Sequence, residues 1–180
     1  MNPTSPNVTL VGIPFDESSS FLRGPAEAPP KIREALHSPS ANLATEAGRD
    51  LGAEDRFRDA GDLQLPTGAA AFGAIERGVA ELLESGDRLL ILGGDHAITY
   101  PVVRAFAGRY DRLTILHLDA HPDLYDELEG DKLSHACPFA RIMEANLASR
   151  LVQLGIRTMT PHQRDQAERF GVEVVTAADW

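Results

Sequence analysis

The stretch LTILHLDAHPD, residues 113–123, carries an apolar, β-branched run straight into alternating ionisable residues: His117, Asp119, His121 and Asp123. The run predicts a buried strand, and the residues after it compete with or repel one another unless something cationic sits among them. Residues two apart on an extended chain share a face. Asp119, His121 and Asp123 are therefore predicted to point one way if extended geometry holds, with Asp119 placed to bridge two ions while its neighbours each take one. Upstream, RLLILGGDH (88–96) is built alike: a strand, two glycines that permit a sharp turn and close approach, then Asp95 and His96.

Strand and helix signals alternate along the rest of the chain. VTLVGIPF (8–15) predicts a strand, PKIREALHS a helix with Pro30 in its first turn, and RDAGDL a short strand within the weakly patterned 39–66. Thr67 is predicted to open a helix through GAAAFGAIERGVAELLES, which Gly86 closes. After RLLILGG follow a helix (TYPVVRAFAGRY), a strand (LTILHLDAH), a helix (CPFARIMEAN) and a strand (RLVQLGIRT). PHQRDQAERFG predicts a helix ending on Gly171, and VEVVTA a last strand. Strands spaced by helices predict parallel βαβ units with right-handed crossovers and helices on both faces, in one domain over residues 1–180. Ligands of such sheets bind beyond the carboxyl ends of the strands. GGDH and DAHPD should therefore emerge at one edge, from strands that are neighbours in the sheet.

Composition narrows the function classes. The 180 residues are 43% hydrophobic and 24% charged, ordinary globular material. A net charge of -10 argues against a phosphate-backbone partner, since nucleic-acid binders need a basic face. One cysteine, Cys137, leaves no intramolecular disulfide and fits a reducing compartment. MNPTSPNVTLVGIPF lacks a basic start followed by a long apolar run, and no apolar stretch approaches the about 20 residues that span a bilayer. The expectation is a cytoplasmic protein without a nucleic-acid or membrane partner.

Imidazole and carboxylate donors suit a divalent first-row ion such as manganese, whereas thiolates suit zinc or iron–sulfur. A GGDH or a D-x-x-D alone is often only a turn or a solvated loop; the two together, each after a parallel strand, point to a metal site. His117 lies inside its strand and reads as a core residue or a partner of a ligand. Cys137 reads as a buried thiol, and His37 and His162 as exposed helix residues.

In order, GGDHAITYP, HLDAHPDLYDE and SHACPF (134–139) resemble the ureohydrolase family, the arginase and agmatinase group of binuclear manganese amidinohydrolases; the opening GIPFDESSSFLRGPAEAPPKIREAL is similar to the agmatinase branch. The resemblance implies an α/β three-layer sandwich with a mainly parallel sheet, the arginase–deacetylase fold. It implies two Mn2+ ions per complete site, with His96 and Asp123 on one, His121 on the other and Asp119 bridging both. His135 corresponds to the family histidine that moves protons near the leaving group, so His135 and Asp119 are the expected catalytic residues. Ala97 replaces a frequent Ser and Ala136 a frequent Gly. The implied reaction is hydrolysis of a guanidino compound to urea and an amine, with agmatine to putrescine the first expectation and a homo-oligomer the expected assembly.

Family members carry a further strand ending in Asp-x-Asp and a later acidic residue for the substrate guanidinium. Neither occurs here: after DAHPD the aspartates are Asp126, Asp131, Asp165 and Asp179. Thr176 and Asp179 are placed as the N-cap and N3 of a helix that VVTAADW only begins. The expectation is a domain lacking its C-terminal strands, inactive by itself. Two alternatives stand beside it: an incomplete remnant or partner subunit of the same fold, and a metal-dependent deacetylase of related fold, which the GGDH histidine disfavours.

Overall fold

The computed structural model describes residues 6–179; the start of the stretch read for a leader, residues 1–5, and Trp180 lie outside them. Six strands and five helices alternate: β1 (Val8–Ile13), α1 (Ala28–Leu36), β2 (Phe57–Asp62), α2 (Ala70–Leu83), β3 (Arg88–Gly93), α3 (Thr99–Arg109), β4 (Thr114–Leu118), α4 (Pro138–Glu144), β5 (Arg150–Ile156), α5 (Pro161–Phe170) and β6 (Glu173–Thr176). The described residues form two compact units. One comprises the chain up to Glu17 with Arg23–Asp95, the other Ser18–Leu22 with the chain from His96 onward. No helix of the described residues is long and apolar enough to cross a membrane.

The first unit holds a parallel sheet of order β2-β1-β3. Ala71, Ile75, Val79 and Leu83 recur every fourth position of α2, and all four are buried. With Leu10, Val11, Ile13 and Phe15 they make up most of this unit's buried apolar set, and full burial of such a Leu, Ile or Val contributes roughly 1.5–3 kcal/mol. Thr67 does not cap α2, whose N-cap is Ala69 without a side-chain bond. Arg33 of α1 ties β2 down through Asp59 at 2.8 Å and also pairs with Asp62. The glycine turn after β3 has a steric cause: a Cβ on Gly94 would run into the backbone of Phe15, whose carbonyl accepts the Asp95 N–H at 2.8 Å.

In the second unit the parallel sheet has order β4-β5-β6. Its core is Leu124, Phe139, Ile142, Ala148, Leu151 and Ala167, with Tyr100 and Val103 of α3 and Ile115 and Val174 of the sheet packed against them. Thus α3, α4 and α5 gather on the face bearing Ile115 and Leu151. On the alternate positions of β4, Leu116 and Leu118 are 58% and 68% exposed. Nor are β3 and β4 hydrogen-bonded neighbours; each edges its own three-stranded sheet. A crossover helix fixes hand more firmly than adjacency, because sequential strands neighbour one another only about two-thirds of the time. The capping signals of α5 do hold: Thr160 and Gln163 close a capping box and Gly171 ends the helix in the left-handed region. At the last turn Asp179 accepts from the N–H and hydroxyl of Thr176, at 2.8 and 2.7 Å.

Candidate metal centre

The DAHPD segment stays tied to β5 as far as Ala120, the Asp119 N–H donating to the Leu154 carbonyl at 3.1 Å and the Ala120 carbonyl accepting the Arg157 N–H at 2.9 Å, and then leaves the sheet. β4 ends at Leu118, and the extended geometry expected of Asp119, His121 and Asp123 does not persist. Pro122 fixes its own φ and offers no N–H to a ladder, and Asp123 sits in the left-handed region at φ 47. Aspartate tolerates that conformation better than most residues. The reversal carries the Asp123 carboxylate to His96, where Oδ2 lies 2.6 Å from Nδ1.

Asp119 is the hub. Its Oδ1 accepts the His121 N–H at 2.8 Å and lies 3.4 Å from His121 Nδ1, while Oδ2 lies 3.5 Å from His117 Nε2. Partial burial works against ionisation of Asp119, but the His121 N–H and the neighbouring imidazoles outweigh it and hold the carboxyl below its ordinary range. For His117 burial dominates and pushes the ring down, helped by His96 and opposed by Asp119 and Asp123. Phe139, fully buried at the start of α4, packs against both rings: 4.3 Å between centroids to His117, and edge-on at 5.5 Å to His96.

One donor atom each from His96, His117 and Asp119 lies within 4.8 Å of the other two. With Asp123 on His96 and His121 on Asp119, the four residues expected as ligands lie in one connected cluster. Carboxylate and imidazole donors so gathered fit a divalent first-row metal ion. The thiol of Cys137 takes no part; burial pushes its pKa up to about 11 and its Sγ faces the Asp131 carbonyl.

His121 and Asp123 line a cavity of about 530 Å³ that His135, Tyr125, Thr158 and Gln163 also line. The His135 ring is held from behind, Nδ1 being 2.9 Å from the Ser18 carbonyl oxygen. A carbonyl only accepts, so Nδ1 carries the hydrogen and Nε2 is the atom left for proton exchange. Three parts of the site are silent in the sequence: Ser18, Phe139 and Gln153, whose amide touches His117. Ser18 and Phe139 lie in stretches that carry the resemblance but show no chemistry of their own, and only the fold brings all three in. His162, expected as an exposed helix residue, is exposed and also stacks on Tyr125 and accepts the Asp126 N–H at 3.2 Å.

Comparison with known proteins agrees with this chemistry. Arginase 1, mitochondrial, of Oryza sativa subsp. indica is 46% identical over 173 residues, which are 91% of this chain and 51% of that protein. An agmatinase of Bacillus anthracis is 32% identical over 174 residues, 93% of this chain and 58% of its own. The arginase from Medicago truncatula superposes with a TM-score of 0.89 at 40% identity, covering 96% of this chain and 57% of that one. This chain thus has their α/β fold and spans about half the length of the curated relatives it matches. The Arginase family model matches residues 6–180, and with motif, fold and sequence in agreement the chain belongs to the arginase family.

Proposed function

We propose that the chain serves manganese-dependent hydrolysis of a guanidino compound to urea and an amine. The observation that carries this reading is the meeting of His96, Asp119 and Asp123 beside a cavity lined by His121 and His135. His96 and Asp123 would hold one ion, His121 the other, and Asp119 both. When bound, such a pair of cations acidifies water enough to supply a nucleophile near neutral pH. The chain's own residues do the rest. Asp119 is kept ionised by the His121 N–H and its imidazole neighbours. The departing amine needs a proton; with Nδ1–H held by the Ser18 carbonyl, His135 would take one up at Nε2 from the attacking water and pass it, as the imidazolium, to the amine.

Agmatine is the substrate first expected from the sequence. The higher identity to a plant arginase, 46% against 32% for an agmatinase, supports arginine as the better candidate. A non-catalytic partner role is the second reading, supported by four ligand side chains standing where two ions are expected. The test is urea release from arginine and from agmatine, with manganese content measured on the same samples. It is run on the purified chain and on the chain co-expressed with the C-terminal half of the rice arginase. Manganese-dependent urea release from the complemented protein, lost in His135→Ala, is the expected result; a complemented protein that binds manganese and releases no urea supports the partner role.

A further inference from the structure

We propose that Gln153 and His117 form a positioning relay behind Asp119, in which Gln153 fixes His117 with its hydrogen on Nε2 so that the ring orients the carboxylate and does not bind a metal. The proposal rests on the metal-centre reading above and deepens it.

Gln153 and His117 are cross-strand partners of β5 and β4, 0% and 8% exposed. The Gln153 amide nitrogen lies 2.6 Å from the Pro122 carbonyl oxygen. That carbonyl only accepts, so nitrogen is the amide atom that belongs there; the amide oxygen would set two acceptors against each other. The same nitrogen lies 3.2 Å from His117 Nδ1. An amide NH2 has two hydrogens, one for each partner. Nδ1 is thereby an acceptor, and the neutral ring carries its hydrogen on Nε2. The Gln153 Oε1 has no hydrogen-bond partner, which leaves the nitrogen as the working end of the amide.

Nε2 of His117 is buried, has no hydrogen-bond partner and lies 3.5 Å from Asp119 Oδ2. To ligate a metal through Nε2 the ring would need its hydrogen on Nδ1, facing an amide donor in a dry interior; to ligate through Nδ1 it would have to displace Gln153. Of the three residues whose donors converge, His117 is therefore the one that does not bind. Asp119 has an N–H toward each oxygen: the His121 N–H is hydrogen-bonded to Oδ1, and the His117 Nε2–H points at Oδ2 from 3.5 Å, an electrostatic contact longer than a hydrogen bond. Groups that orient ligating carboxylates typically change metal affinity 10–100-fold.

The test is long-range proton–nitrogen correlation NMR of the 15N-histidine-labelled chain, metal-free and then with Cd2+ as a diamagnetic probe, with His117 assigned through His117→Gln. The expected result is an Nε2–H pattern for His117 in the metal-free chain, retained when Cd2+ shifts His96 and His121. An Nδ1–H pattern, or loss of the Nε2 hydrogen on adding Cd2+, overturns the proposal. Gln153→Glu, whose carboxylate accepts from Nδ1–H, should flip the ring and weaken Cd2+ binding about tenfold; a folded variant with an unflipped ring counts against the relay. If Cd2+ shifts neither His96 nor His121, the metal-centre reading fails, while the metal-free tautomer still decides the relay.

Discussion

His96 Nδ1 and Asp123 Oδ2 lie 2.6 Å apart although 27 positions separate the residues. A helix and a strand, α3 and β4, intervene, so the contact reports tertiary structure and not local geometry. It depends on the turn at Pro122 and on the left-handed backbone of Asp123, which sends the carboxylate back toward the start of α3. An acceptor and an imidazole at this separation form a hydrogen bond without a metal and a pair of ligands with one.

Metal content should follow this arrangement residue by residue. Asp119→Ala is expected to lose both ions, His121→Ala one, and His96→Ala the other, each affinity falling by more than about a hundredfold. Asp119→Asn keeps an acceptor for the His121 N–H and removes the charge, so it separates a folding defect from a binding defect. Manganese per chain after dialysis, read by mass spectrometry on the protein complemented with a relative's C-terminal half, is the measurement. Full occupancy in Asp119→Ala would remove Asp119 from the centre.

The element order was legible because most strands are apolar runs, β2 (FRDAGD) being the exception, and because α2 and α5 carry stop signals. Gly86, Gly171 and the Thr160–Gln163 box mark their boundaries in the sequence and in the structure. The meeting of His96 with Asp119 and Asp123 was legible too, since GGDH and DAHPD follow strands. What failed was geometry that a period-two rule cannot carry past a proline: Asp119, His121 and Asp123 do not line one extended face. Strand adjacency also failed, because nothing in residues 94–113 says beside which strand β4 lies. Gln153 and Ser18 were invisible for a related reason; one depends on cross-strand register and the other on a contact across 117 positions.

Phe139 is 1% exposed and supports two imidazoles at once. Phe139→Ala should destabilise the chain by roughly 3–5 kcal/mol through lost burial and the cavity left behind. Phe139→Leu, which keeps much of the volume, should cost less in stability yet still loosen His96 and His117. Urea unfolding midpoints compared with manganese affinity across the two variants check this; unchanged affinity in a folded Phe139→Leu would show that the rings are held by other contacts.

Acid should weaken the loop after the DAHPD segment. The Arg141 hydrogen bond to Asp126, 2.7 Å long, is the main cause that holds the Asp126 carboxyl below its ordinary value of 3.8, with Lys132 adding to it. A carboxyl whose folded pKa is depressed binds its proton less readily folded than unfolded. Its stabilising effect is therefore complete above the unfolded pKa and disappears as pH falls through the folded one. Stability followed by unfolding from pH 6 down to pH 2 should fall in that acid window, and Asp126→Asn should flatten part of the fall. An unaltered pH profile in Asp126→Asn would show that the pair does not couple to folding.

Leu116 and Leu118 expose 58% and 68% of their surface on one face of β4, and Leu90 of β3 exposes 49%. Apolar positions so placed on edge strands favour association. The purified chain should self-associate with rising concentration, and Leu116→Lys with Leu118→Glu should shift it toward monomer without lowering its unfolding midpoint. Light scattering over a concentration series decides; a wild-type chain that stays monomeric at high concentration would mean these leucines drive no association.

The last prediction concerns turnover. His96, Asp119, His121 and Asp123 are four side chains for two ions, so His121 and a shared carboxylate are all that one of the ions would hold. An ion with two protein ligands exchanges readily, and a single cation acidifies water less than a pair does. The 180-residue chain by itself is therefore expected to release negligible urea from arginine or agmatine even in excess manganese, while binding one ion firmly. In the protein complemented with a relative's C-terminal half, His135→Ala should lower kcat by about 10²–10⁴-fold, the range of a positioned acid–base group, and leave manganese content unchanged. Ser18 tests the same histidine from behind. Its carbonyl is backbone, so Ser18→Ala should keep full turnover, whereas Ser18→Pro, which distorts that backbone, should lower kcat more than it raises KM. Urea production with parallel metal analysis measures all of these. Robust manganese-dependent turnover by the 180-residue chain would show that four side chains are enough, and an active His135→Ala would move the proton to another group.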